Sequence, residues 1–276
     1  VTGSSEKIFQ TVKVSGSSIS DNAKDQSTAI GGLIGKVSAS GLTLNECSTD
    51  TTTVSGYFKV GGLIGEGQFK EINNCSNAAS VTASQNESGG NADIYAGGIV
   101  AYMTSGKVTG QTKNIASISA GTTGDDLHIE YKPYAGGIVG YMSSGELDNI
   151  VNNGTVSAGF NLSANESKVG KSYIRGIFNG NYGKRTVKKE SEAGSKESFA
   201  GGIVGFATSS QISNATTSGQ VTAKANVVLT IQGHKGKMGL MFAGLEVVTF
   251  VEYETFYITQ EEKAHAFGVG YINNSS

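Results

Sequence analysis

Proline is nearly absent from this chain of 276 residues, with one in the whole sequence, so a collagen-like helix and a proline-rich stalk are excluded despite 40 glycines. Cysteine is almost as scarce. Cys47 and Cys75 have no nearby histidine and no second cysteine pair, and cannot complete a zinc shell. No run of about 18 apolar residues occurs, so no membrane span is expected in this chain. The polar opening Val1-Thr2-Gly3-Ser4-Ser5 lacks the charged-then-apolar pattern of a signal peptide. It reads as the start of a mature form or, preferably, of a piece cut from a larger protein. The net charge of −2, with no basic cluster interleaved with aromatics, disfavours nucleic acid as a partner.

Catalytic signatures are missing as well. There is no Gly-x-Ser-x-Gly elbow and no His-Glu-x-x-His. The segment Asn165 to Ser172 ends in Gly-Lys-Ser but carries Asn165 where a phosphate loop needs glycine. Gly89-Gly90-Asn91-Ala92-Asp93 resembles a calcium-binding nonapeptide only once, whereas such sites depend on stacked tandem copies. The expectation is a chain that is not an enzyme and holds no metal or cofactor.

What is present is a repeat. Gly-Gly-Ile-Val-Gly stands intact at Gly136 to Gly140 and Gly201 to Gly205, and recurs with small changes from Gly31, Gly61 and Gly97. The glycine pairs are Gly31-Gly32, Gly61-Gly62, Gly97-Gly98, Gly136-Gly137 and Gly201-Gly202. Counted from Gly61, Gly136 and Gly201, an apolar residue follows at +11 (Ile72, Leu147, Ile212) and an asparagine at +13 (Asn74, Asn149, Asn214). Val-x-Ala closes each unit at Val81, Val156 and Val221. The Gly97 copy is one residue longer and the Gly31 copy two or three, giving units of about 23 to 26 residues, a solenoid period.

Each unit holds three apolar runs too short for helices and separated by Gly, Ser and Asn, which read as three short strands. Stacked copy on copy about 4.8 Å apart, such strands form parallel sheets around a shared interior. The expected fold is therefore all-β, a parallel β-helix with loop inserts at one corner. In that frame each glycine pair marks a sharp turn or close backbone approach, where a Cβ obstructs or φ must be positive. The +13 asparagine fits a corner, since it tolerates left-handed backbone and its amide can reach neighbouring coils.

Gly-Gly-[Leu/Ile]-[Ile/Val]-Gly with this asparagine and Val-x-Ala spacing resembles the GLUG repeat of bacterial surface proteins, over roughly Ala29 to Ala223. That repeat is found in adhesin-like proteins and in the non-catalytic region of M26 immunoglobulin A peptidases. The resemblance implies a bacterial cell-surface or extracellular setting and gives no active site.

The chain divides into residues 1–28, an opening coil or cap; 29–223, the repeats with their inserts; and 224–276, degenerate coils with a terminal strand pair, serving as a cap or an interface to a further domain. Tyr173 to Gly180 reads as a worn copy inside the longest insert. Phe242-Ala243-Gly244 echoes the aromatic-Ala-Gly that precedes the later glycine pairs, and Tyr95, Tyr134, Phe199 and Phe242 are expected to stack as an aromatic column rather than bind sugar. Cys47 and Cys75 occupy equivalent places in consecutive copies, favouring stacked buried thiols over a disulfide.

Inserts leave the closing Val-x-Ala corner at Ser84 to Ile94, Gly121 to Pro133 and Gly159 to Ser198, all on one side. The second holds the best constellation: Asp125, Asp126, His128, Glu130 and Lys132. As a strand it places His128, Glu130 and Lys132 on one face. A carboxylate beside a histidine suits acid-base work, but the favoured reading is an amphipathic edge with its charges in water, and the set is the candidate binding surface. The expectation is an adhesin or stalk segment that contacts a host or matrix protein or glycan. The alternatives are a scaffold region of a surface enzyme such as an M26-like peptidase and a carbohydrate-active β-helix.

Overall fold

The computed structural model describes residues 1–2, 5–23, 25–38, 40–85, 92–124, 131–166, 197–242, 245–261 and 263–273. At 123–124, 160–166, 225–242, 245–261 and 271–273 it describes the backbone path alone. Among the described residues the chain is all-β, without a helix long and apolar enough to cross a membrane, and its strands lie in three curled sheets. Each repeat visits the sheets in the same order, so the three are named here lead-in, wide and closing.

The lead-in sheet has six strands: Ala29–Gly31, Lys59–Gly61, Ile94–Gly97, Pro133–Gly136, Glu197–Gly201 and Lys263–Phe267. All its pairings are parallel, and Gly31, Gly61, Gly97, Gly136 and Gly201 are aligned one on the next. The wide sheet takes the segments after each glycine pair, such as Ile64–Asn73 and Val100–Thr109, and pairs Ile72 with Leu44 and with Val108. The closing sheet stacks Val54, Val81, Ile118, Val156 and Val221 in one file. The spacing along the chain is thus the register in space. In the longer Gly97 copy the extra residue is Gly110, because Val108 pairs with Leu147 and Thr112 with Ile150. It lies beside Gln111, and both have positive φ.

Two apolar files fill the interior. One combines Leu42, Leu44, Ile72, Val108 and Leu147 with Leu63, Ile99, Ile138 and Ile203. The other combines the closing valines and alanines with Val60, Ala96, Ala135 and Ala200. Residues 1–28 supply a preceding rung, with Lys7–Gln10, Lys13–Ser15 and Ile19–Ser20 pairing parallel to the first repeat.

Between the files runs a buried polar ladder. Thr49 Oγ1 donates to Asn77 Oδ1 at 2.7 Å, Asn77 Nδ2 to Asn114 Oδ1 at 2.8 Å, and Asn114 Nδ2 to Asn152 Oδ1 at 2.8 Å. Asn152 Nδ2 reaches Thr217 Oγ1 at 3.5 Å. Each asparagine also bonds its own chain two residues on, as Asn77 Nδ2 to Ala79 O at 2.9 Å and Ala79 N–H to Asn77 Oδ1 at 3.1 Å. Both donors and both lone pairs of the amide are therefore used, as burial demands.

This ladder explains the second glycine of each pair. A Cβ on Gly62 would overlap Gly98 O and the Asn77 side chain, one on Gly98 would overlap Gly137 O and Asn114, and one on Gly137 would overlap Gly202 O and Asn152. None of these glycines has positive φ, so close approach is the reason for the pair. Positive φ falls instead on the corner residues Asn74, Asn149 and Asn214, at 50°, 53° and 47°, and on Thr11, Glu46 and Gln111 at the same corner.

The closing sheet changes length along the chain. Its successive strands Ile19–Ser20, Thr53–Gly56, Ser80–Gln85, Ile118–Gly124, Val156–Glu166 and Val221–Phe242 have 2, 4, 6, 7, 11 and 22 residues. The last returns as Leu245–Glu261, the one antiparallel pairing among the described strands. Phe242 and Leu245 face each other at the end of this hairpin, so Phe242-Ala243-Gly244 does not lead into another repeat. That place is taken by His265 and Ala266, paired with Phe199 and Ala200.

Candidate functional site

Two positions flank every glycine pair: two residues before the first glycine and five after it. The backbone turns between them, which brings their side chains together outside the glycines. In the later repeats both are aromatic. Tyr95, Tyr134, Phe199 and His265 stack with ring centroids 5.3, 5.1 and 4.9 Å apart. Tyr102, Tyr141 and Phe206 form a second column at 5.1 and 5.3 Å. Across each rung the rings meet edge to face, as Tyr95 with Tyr102 at 5.0 Å and Tyr134 with Tyr141 at 5.5 Å. The expected column thus exists through Tyr95, Tyr134 and Phe199, with His265 rather than Phe242 as its fourth member. The second column was not anticipated, although its residues stand at a constant +5.

Both columns stop at the same rung. The partners of Tyr95 and Tyr102 in the preceding repeat are Lys59 and Glu66, and the rung before that holds Ala29 and Lys36. Lys59 Nζ lies 3.0 Å from Glu66 Oε2 and 5.5 Å above the Tyr102 ring, and Lys36 Nζ lies 3.3 Å from the same oxygen. That oxygen is buried and receives no aligned hydrogen bond, so two ammonium charges hold it without saturating it.

At this step lies a cleft of about 300 Å³ lined by Gln26, Lys59, Glu66, Ala92, Asp93, Tyr95 and Tyr102. Asp93 Oδ1 accepts the Lys132 backbone N–H at 2.8 Å, and Oδ2 lies 3.4 Å from the Tyr95 hydroxyl. Burial raises the Asp93 carboxyl above its ordinary range, and the Lys132 N–H opposes it. Burial likewise raises the Tyr95, Tyr134 and Tyr102 phenols, so these three rings remain uncharged. The sequence singled out neither Glu66 nor Lys59; their signal is that they replace the aromatic at two constant positions.

Of the anticipated binding set, Asp125, Asp126, His128 and Glu130 lie outside the described residues, as does the worn copy Tyr173 to Gly180. Lys132 is described. Its ammonium pairs with Glu197 Oε2 at 2.7 Å, holding that carboxyl below its ordinary range, while its N–H secures Asp93. It therefore ties the insert to two neighbouring rungs. Beside it Tyr131 is buried, with its hydroxyl bonded to Thr122. Cys47 and Cys75 are free buried thiols, and the Cys47 N–H donates to Cys75 Sγ at 3.3 Å. Among the described residues no three His, Cys, Asp or Glu side chains are grouped to hold a metal. Comparison with family models, with curated proteins and with solved structures found no match.

Proposed function

We propose that the chain is a parallel β-helix of the GLUG-repeat kind, displayed outside a bacterial cell, whose insert-bearing flank binds a host or matrix protein or glycan without catalysis. The observation that supports this reading is the closing sheet, whose parallel strands lengthen from 2 to 22 residues at one corner. A repeating interior with variable sequence confined to one flank suits a scaffold that presents a recognition surface. The same geometry leaves the interior unchanged from rung to rung while the flank varies.

The test is a glycan and matrix-protein array with the purified chain, beside a variant in which residues 125–130 are replaced by a Gly-Ser link. Tyr131 and Lys132 are kept because they anchor the insert. Binding that disappears in the variant supports the reading. No binding by a well-folded chain overturns it in favour of a scaffold region of a larger surface enzyme. The hairpin of Val221–Phe242 and Leu245–Glu261 favours that second reading, because beyond Ile231 its described pairing is with its own return strand alone, a face on which another domain can pack.

A further inference from the structure

We infer that the cleft at the step from Lys59 and Glu66 to Tyr95 and Tyr102 binds one neutral pyranose ring of a glycan. This rests on the recognition reading above and places it at a site other than the insert. Both aromatic columns end here with a rung of charge where the pattern calls for rings. The volume of about 300 Å³ is at the small end for ligand sites, room for a ring rather than an extended chain.

The lining decides what kind of ring. Tyr95 and Tyr102 line the cleft with aromatic carbon, Lys59 standing over the Tyr102 ring, while Gln26, Glu66 and Asp93 add polar groups. A purely aromatic ligand would cover these groups without bonding them, at a cost of about 1–3 kcal/mol for each one left unpaired. A pyranose has C–H faces to lie on a tyrosine and hydroxyls around its edge. Asp93 Oδ2 has only the long contact from Tyr95 and can take a hydroxyl, whereas Glu66 Oε2 is enclosed by Lys36 and Lys59 and holds the lysines in place. Charge points to neutrality. Lys36 and Lys59 balance Glu66 and Asp93, and an added carboxylate or ammonium would enter without a free counter-charge.

The experiment is saturation-transfer NMR with calorimetry on the full chain. The probes are the methyl glycosides of glucose, galactose, mannose and N-acetylglucosamine, beside glucuronate and glucosamine. The variants are Tyr102→Ala, Asp93→Asn and, two rungs away on the same column, Phe206→Ala. At least one neutral glycoside is expected to bind with Kd on the order of 1 mM. Tyr102→Ala and Asp93→Asn should each weaken it about tenfold, and Phe206→Ala should leave it unchanged. Circular dichroism checks folding; if Tyr102→Ala unfolds, the isosteric Asp93→Asn decides. The inference is overturned if no neutral glycoside binds, if glucuronate or glucosamine binds better, or if Phe206→Ala weakens binding as much as Tyr102→Ala. Array binding that survives Tyr102→Ala but is lost when residues 125–130 are replaced would sink this site and leave the proposed function standing.

Discussion

The polar ladder inside the stack runs from Thr49 to Thr217 without a break, whereas the aromatic columns outside it begin only at Tyr95 and Tyr102. Both are chains of like residues in register. The difference is what a change at one rung does to the next. An interior amide supplies a donor to one neighbour and an acceptor to the other, so replacing it orphans groups on both sides where no water can reach them. A ring on the outer face has a wet edge, and the rung before it can be an ion pair. Continuity is compulsory inside and optional outside, and the outer interruption is where a cleft can form.

The comparison breaks most severely at Asn114. Asn114→Ala removes two ladder bonds and the two bonds to Ala116, leaving buried partners at Asn77 and Asn152 and part-buried ones at Ala116. A loss of about 3–5 kcal/mol is expected, lowering the melting temperature by roughly 10 °C. The outer counterpart, Tyr141→Ala, removes the middle ring of its column, which stacks on two rings and meets others edge to face. Each such pair is worth about 0.5–1.5 kcal/mol, and the half-exposed site refills with water, so a loss of about 2 kcal/mol is expected. Equal losses in parallel melting curves would refute the distinction between the two ladders.

The cysteines extend the comparison to acidity. Burial pushes the Cys75 thiol up to about 12 from an ordinary value of 9.0, with Cys47 close by. An unfolded chain would lose this proton as pH passes 9.0, whereas the folded chain holds it to about 12. Between those values the unfolded state binds fewer protons, so stability falls as pH rises, at no more than about 1.4 kcal/mol per pH unit. Below pH 9.0 this group contributes no slope. Denaturant titrations of Cys75→Ser and the unchanged chain at pH 8 and pH 10 measure the difference. A native thiol that reacts with a disulfide reagent at pH 8 as fast as in denaturant would contradict the burial.

Much of this architecture was legible because the repeat fixes register directly. A slip of one residue would turn every apolar side chain to the wrong face, so Gly61, Gly136 and Gly201 could be aligned on paper as Gly31 to Gly201 align in space. The glycine pair's steric role followed from the same logic, but its true neighbour was hidden. Asn77, Asn114, Asn152 and Thr217 each stand four residues before the closing Val or Ile, a signal masked by surrounding Ser, Gly and Asn that read as turn. A terminal strand pair is expected after the repeats, but its extent was hidden because Phe242-Ala243-Gly244 copies the lead-in phrase, and only long-range pairing separates an imitation from a repeat. The cleft was invisible for another reason: it depends on two positions of one rung differing from the rungs after it, and residue types carry no sign of that until the columns are seen side by side.

The corner after the +11 strand gives the smallest effect. Asn74, Asn149 and Asn214 meet its left-handed backbone with a residue that tolerates it, whereas Gln111 adopts φ 60° on a long side chain. For an ordinary residue that conformation costs about 1–2 kcal/mol, part of which asparagine recovers through local hydrogen bonds. Gln111 is exposed, so shortening it removes no packing. Gln111→Asn should therefore stabilise the fold by about 0.5–1 kcal/mol, read as a rise in the denaturation midpoint at constant slope. Gln111→Gly should gain less, because it also loosens the unfolded chain. If both lower the midpoint, the Gln111 side chain makes a contact that outweighs its backbone, and this corner would not be governed by φ alone.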